Sequence, residues 1–297
     1  MKIIRFLFEY GAMRLLWLLL AVCPLARAYS LGQRLGLIWY ACDRRRRGIA
    51  RENVLRSGLA ADCTAAAALA RTSFGHFLGH LIESLRLPAA YARFDRGHIE
   101  TDLPDESLKL LTEPGEPVLL VSGHLGCWET ALRMFPATRQ VMVVARPMNN
   151  PYVQRFLDRT HFRGKIELIS KKRGLSPEVI RRWGEGRTLV LLMDQHAGRH
   201  GVWIDFLGRP AATHTSPARL HLMTGYPIVC IAFVRVGLLR YRLIAGEPIR
   251  FVPTGDRDAD QRAILTELTR RLETFIRCYP EQYLWAHRRW RQPPAAP

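Results

Sequence analysis

The rhythm of apolar and polar positions changes about a third of the way along the chain. Over the first ninety residues it is helical. "GIARENVLRSGL" (48–59) and "CTAAAALARTSFGHFLGHLIESLRL" (63–87) repeat apolar residues at helical spacing, and Pro88 is expected to end the second run. From residue 95 onward, short apolar runs alternate with helical stretches. Runs at 117–122, 140–145, 166–170, 188–193, 227–234 and 240–245 predict strands. Helices are predicted at 125–134, 150–161, 175–184 and 215–224, with a long closing helix, "RDADQRAILTELTRRLETFIRC". Buried strands joined by helical crossovers imply an α/β fold with a mostly parallel sheet covered on both faces. The sheet should be mixed, because "RYRLIA" follows its neighbour after only the short "RVGLL" turn.

The N-terminus has its own pattern. "LLWLLLAVCPLA" (15–26) is apolar throughout and flanked by Lys2, Arg5, Arg14 and Arg27. It is shorter than the roughly twenty residues of an ideal membrane span. Extending it back through "IIRFLFEYGAM" takes in Glu9 and Arg14. Three readings stand: a signal peptide, since Ala26-Arg27-Ala28 imitates a cleavage site; a buried core helix; and a retained anchor that spans the bilayer or lies in its interface. A second apolar stretch, "LGLIWYA" (35–41), is followed at once by "DRRRR", and that pairing suits an anionic cytoplasmic leaflet. Membrane association is therefore the working expectation. Residues 1–45 form the anchoring helical segment and 46–297 the domain that carries the chemistry.

Charge sharpens this picture without resolving it. Lys+Arg 44 against Asp+Glu 26 gives +18, almost all of it arginine, so a polyanionic partner is expected. Nucleic acid is a poor candidate. There is no helix-turn-helix, RNP or zinc-finger pattern, and the basic residues accompany apolar N-terminal helices. Six scattered cysteines without a C-x-x-C argue against a disulfide framework and fit a reducing compartment. No G-x-S-x-G occurs, which removes the common serine-hydrolase signature.

Candidate chemistry centres on "PVLLVSGHLGCWET" (117–130), where a buried strand breaks into Gly-His-Leu-Gly and resumes as a helix. In open α/β sheets, ligands gather at the carboxyl ends of strands, where His124 lies. His-x4-acid spacing alone is weak: with 26 acids and ten histidines about one such pair arises by chance, and His200 with Asp205 is a second. On a regular helix, positions i and i+5 do not share a face, so His124 must sit in the turn and Glu129 in the first helical turns. Such a carboxylate would fix the ring tautomer and restore basicity lost to the helix N-terminus, giving a general base near neutral pH. A core histidine hydrogen-bonded to a helix carboxylate is the plainer alternative.

"GHLGCWE" resembles the H-x4-D/E motif of the glycerolipid acyltransferase superfamily. It is most similar to the lipid A biosynthesis lauroyl/myristoyl acyltransferase branch, which usually reads G-H-L-G-N-W-E; Cys127 stands here in place of Asn. The resemblance continues in "ARPMNNPYVQRFLDRTHFRG", in "LMDQHAGRHGVWIDFLGRPAATHTSPARLHLMTGYPIV" and in "PEQYLWAHRRWR". It implies an αβα-sandwich fold and acyl transfer from a thioester to a lipid hydroxyl, without a cofactor and without a covalent acyl-enzyme. His124 would take the hydroxyl proton and Glu129 would orient the ring. Backbone amides at the start of the 125–134 helix, or Arg163 in "THFRG", would serve the oxyanion. Arg146 in "ARP" would hold an anionic group. Asp194 and Gln195, ending the strand "TLVLLMDQ", would stand behind the histidine or bind the acceptor. The donor implied is acyl-carrier protein or acyl-CoA, the acceptor a membrane lipid such as a lipid A precursor, and the setting the cytoplasmic side of the inner membrane. Lysophospholipid and aminolipid acceptors, and an inactive scaffold of the same fold, remain open.

Several residues compete for other roles. Cys127 is a nucleophile or a small filler. Asp194, His196 and His200 imitate metal ligands, but the resemblance implies a metal-free site. His76, His80 and Glu83 share a helical face and read as a metal site or, more simply, as a polar stripe near the membrane. "HRRWR" (287–291) reads as a structural, anion-facing tail, and Trp285 and Trp290 suit a membrane interface.

Overall fold

Every residue of Val118–Ser122 is buried, because both faces of this strand are covered. The computed structural model describes residues 2–90, 98–135, 139–160, 166–170 and 175–291. Helices α1 (Lys2–Val22), α2 (Leu25–Cys42), α3 (Arg44–Arg56) and α4 (Cys63–Ala90) precede the sheet. The chain continues as β1 (Ile99–Asp102), α5 (Asp105–Thr112), β2 (Val118–Ser122), α6 (Trp128–Met134), β3 (Val141–Ala145), α7 (Pro151–Thr160) and β4 (Ile166–Ser170). Then come α8 (Pro177–Gly184), β5 (Thr188–Leu192), β6 (Val202–Phe206), β7 (Arg209–Thr213), α9 (Ser216–Thr224), β8 (Ile228–Gly237), β9 (Arg240–Ala245) and α10 (Arg257–Cys278).

Among the described residues, seven strands form one sheet in the order β1-β9-β8-β2-β5-β3-β4. Only β8 and β9 pair antiparallel within it, so the mixed, mostly parallel sheet read from the sequence is present. Alternate residues feed opposite layers. Leu119 and Val121 join Trp183, Leu220, Leu265 and Leu268 on one side. Val118 and Leu120 join Leu110, Leu111 and Leu132 on the other.

The six expected strands are found within a few residues of their predicted limits. Four elements were not expected: β1, α5 and the separate β6–β7 hairpin. Two boundaries are corrected. α4 continues through Pro88 to Ala90, since a proline in the last turn removes one backbone bond and leaves the earlier ones intact. The helix expected from 125 begins at Trp128, because the preceding residues are held in a loop.

The N-terminal helices pack onto the rest. α2 crosses α4 at very short range: a Cβ at Gly36 would stand 2.2 Å from the Phe74 carbonyl oxygen, so only glycine fits. α1 lies on α7, with Trp17 edge-on to Phe156 and the Asn150 amide donating to the Phe6 carbonyl. Its opposite face is bare: Ile4, Phe8 and Val22 are 74%, 78% and 83% exposed, and Leu7, Leu15, Leu18 and Leu19 continue the stripe. Among the described residues, no helix is long and apolar enough to cross a membrane. Of the two tryptophans read as suited to a membrane interface, Trp285 is not available for that role. Trp285 is buried with its indole N–H on the Pro280 carbonyl, and Trp290 stacks on Phe206.

Candidate active site

Strand register builds the site. β2 and β5 are parallel neighbours with Ser122 opposite Leu192, and the ladder runs one step further as Met193 N–H donates to the Ser122 carbonyl. Two residues beyond each strand end stand His124 and Asp194. The Asp194 carboxylate accepts twice from His124, from the backbone N–H at 2.8 Å and from ring Nδ1 at 2.8 Å. On the far side of the ring, the Gln195 side-chain nitrogen lies 3.2 Å from Nε2. The Trp128 ring is edge-on to the imidazole at 5.9 Å. The His124 side chain is 19% exposed and that of Asp194 only 3%, so the imidazole is reachable while its carboxylate is sealed.

The loop that carries His124 is pinned from both sides. Gly126 takes a left-handed φ of 62°, and a Cβ there would lie 2.2 Å from the Phe233 carbonyl oxygen, so this glycine is required. Gly126 N–H donates to Gln282, Cys127 N–H to Phe233, and Leu284 N–H to the His124 carbonyl. Two of the amides expected to serve an oxyanion, those of Gly126 and Cys127, are therefore already committed. The C-terminal block is the strap. Arg289 is buried, donating to the Gln195 and Ala212 carbonyls and to Thr213 Oγ1. The tail is structural, as read from the sequence, but this arginine faces inward.

Electrostatics favour an ionised Asp194. Burial pushes its carboxyl up, but the His124 charge, the two His124 hydrogen bonds and Arg289 outweigh that and hold it below its usual range. Such a carboxylate keeps the proton on Nδ1 and leaves Nε2 to accept one.

Glu129 lines the same cavity as His124, a space of about 220 Å³ shared with Phe77, Leu81 and Ser84, and its Oε2 accepts from the Ser84 hydroxyl at 3.0 Å. The carboxylate on Nδ1 is thus Asp194, which takes the place behind the ring that the sequence offered it as one of two roles, whereas Glu129 was expected to orient the ring. The signal was present: both residues lie at the same offset beyond strands that crossovers make parallel. Arg146 lines a separate cleft of about 410 Å³ with Gln154, Asp158 and Ser170. Arg163 lies outside the described residues. His200 is exposed and accepts from Arg199, while His196 donates its backbone N–H to His287, so neither joins Asp194. His80 and Glu83, read as a metal site or a polar stripe near the membrane, are buried, because α2 and the 280–282 turn cover that face of α4.

Residues 5–292 match the family described as bacterial lipid A biosynthesis acyltransferase. The chain belongs to that family. Two curated relatives are similar over 194 residues at 25% identity: the lipid A biosynthesis palmitoleoyltransferase of Escherichia coli K12 and the lipid A biosynthesis acyltransferase of Shigella flexneri. In each case the match covers 64% of this chain and 60% of the relative, so the chain spans somewhat under two thirds of their length.

Proposed function

We propose that this protein transfers a fatty acyl group from an acyl thioester to a hydroxyl of a lipid acceptor of the lipid A precursor class. The observation that carries this reading is His124, held at Nδ1 by a buried Asp194 and lining a cavity, in a chain of the lipid A acyltransferase family. In the reaction, the acceptor hydroxyl replaces Gln195 at Nε2 and gives up its proton as its oxygen attacks the thioester carbonyl. The tetrahedral intermediate collapses, the C–S bond breaks, and the leaving sulfur takes the proton back from the imidazolium. Asp194 stabilises that cation. Glu129 acts from the other wall of the cavity, on the ring or on the acceptor. Gln195 is placed to donate to the developing oxyanion once displaced, with Arg163 as a further donor; Arg146 holds an anionic group of a substrate.

A larger cleft of about 830 Å³ adjoins the same sheet edge. Its walls include Leu191, Met193, Leu220 and Met223, with Arg181, Arg219 and Arg257 among them. Apolar walls beside guanidinium groups suit an acyl chain next to an anionic headgroup. The bare stripe of α1 is proposed to lie in the interface of an anionic leaflet, and the protein to work on the cytoplasmic side of the inner membrane. The net charge of +18 also suits an acidic acyl-carrier protein, which we favour over CoA as donor.

Purified protein incubated with labelled acyl-carrier-protein and acyl-CoA donors, against lipid A precursor, lysophospholipid and aminolipid acceptors, tests this reading. Labelled lipid A precursor is the expected product. Transfer only to another acceptor would replace the substrate assignment, and no transfer to any acceptor would leave a scaffold of this fold.

A further inference from the structure

Behind the catalytic loop lies a second cluster that acyl transfer does not use. His80 and Glu83 stand one turn apart on the same face of α4, and the left-handed turn at Gly126 delivers Cys127 against them. The Cys127 thiol is 2.9 Å from His80 Nδ1. One nitrogen, one oxygen and one sulfur donor from the three residues all lie within 4.8 Å of one another, and all three side chains are buried. His80 Nε2 and Glu83 Oε1 are enclosed and make no well-formed hydrogen bond among the described residues, although the Gln282 and Tyr241 side chains stand beside the two groups, and a ligand at the cluster would satisfy them. On its other oxygen Glu83 meets Arg235 Nε at 3.4 Å, and that guanidinium lies over the Tyr29 ring at 3.7 Å.

We propose that His80, Glu83 and Cys127 form a binding site for a divalent transition metal of the zinc class. Imidazole, carboxylate and thiolate are the zinc donor set, and three protein ligands leave one tetrahedral position for a fourth. His80 and Cys127 also line the cavity that His124 and Glu129 share, so the fourth position can be supplied from that side. Binding releases the Cys127 proton to solvent and forms the metal–sulfur bond. With Arg235 retained, the occupied site carries one net positive charge, which favours an anion such as hydroxide in the fourth position. The metal would tie α4 to the loop that positions His124. Asparagine at 127, the residue the family motif usually carries, would supply no thiolate, so the site follows from this chain's own sequence.

The test uses the full-length protein and the metals alone. Zn²⁺ should bind at one equivalent by elemental analysis after gel filtration and raise the Tm. Co²⁺ should give the near-ultraviolet sulfur-to-cobalt absorption of a thiolate ligand. Cys127→Ser should abolish that absorption and weaken Zn²⁺ binding by about 100-fold; Glu83→Gln should weaken it by about 10-fold while keeping the absorption. The wild-type cobalt spectrum is informative even if a variant folds poorly. A wild-type protein with no thiolate absorption, or one whose absorption survives Cys127→Ser unchanged, overturns the proposal. Loss of acyl transfer in the same variants does not bear on it, because the readouts are stoichiometry and spectrum.

Discussion

His124 and His80 line one cavity, and each ring meets another side chain at Nδ1, yet the two rings are prepared for different work. His124 faces an ionised carboxylate and keeps part of its ring open. His80 faces a thiol and is enclosed. Burial, with His76 and Arg235 nearby, pushes the His80 ring well below the usual imidazole range, so it stays neutral across physiological pH. Burial and Glu83 likewise push the Cys127 thiol well up, which argues against Cys127 as a free nucleophile. A ring that must gain and return a proton needs a countercharge and an open edge. A ring that has neither can serve only as a neutral donor or ligand.

The largest expected effect separates the two carboxylates near His124. His124→Ala should lower turnover by about 10²–10⁴-fold while the chain still folds, because the proton acceptor is lost. Asp194→Asn should approach that loss, since an amide at Nδ1 no longer favours the proton there. Glu129→Gln should cost less. Steady-state rates for the three variants decide the matter: a Glu129→Gln loss exceeding that of Asp194→Asn would make Glu129 the carboxylate that counts for the ring.

The next effect bears on what keeps His80 dry. Tyr29 of α2 covers this region, its hydroxyl 2.6 Å from His76 Nδ1 and its ring 5.4 Å from that of His80. Gly32 and Gly36 let α2 approach closely enough to do so. Gly36→Leu should push the helices apart and destabilise the fold by about 2–3 kcal/mol. Denaturant unfolding measures it. The same variant should expose Cys127 to thiol reagents while leaving the His124–Asp194 pair, on the sheet edge, in place. An unreactive Cys127 in that variant would show that α2 is not the seal.

These two pairs also mark how far the sequence was legible. Strands read as continuous apolar runs because both sheet faces are covered, and the seven predicted helices are found because their buried faces recur at helical spacing. β1 escaped because "IETD" lies at the sheet edge, partly exposed and without an apolar run. The β6–β7 hairpin escaped because its "FLGRP" turn resembles a loop and its short strands begin with partly exposed residues instead of a continuous buried run. His124 and Asp194 were both legible as strand-end residues, but the role of ring-orienting carboxylate was given to Glu129. The i+5 acid in the motif drew attention, whereas Asp194 is 70 residues away and becomes a neighbour only through the β2–β5 register. Buried cations such as Arg289 were also invisible, since composition counts them as surface charge.

The smallest effect is a pH dependence that this strap should impose. His287, in the C-terminal block, accepts the His196 backbone N–H on Nε2 at 3.3 Å. Burial, against the pull of Asp194, lowers its ring to about 4. A folded-state value below the unfolded value of about 6.5 means the unfolded chain binds the extra proton first. The associated stability is therefore full above pH 6.5 and is lost as pH falls toward 4. Asp194, also held below its usual range, adds a loss of the same sign further into acid. Tm measured from pH 7.5 to 4 should fall over the His287 window. His287→Gln keeps an acceptor for the His196 amide but does not titrate, so its Tm should fall less steeply over that interval. An equally steep fall in the variant would move the pH sensitivity to His80 and His76, which are also lowered by burial, and would tie it to the dry cluster instead of the catalytic strap.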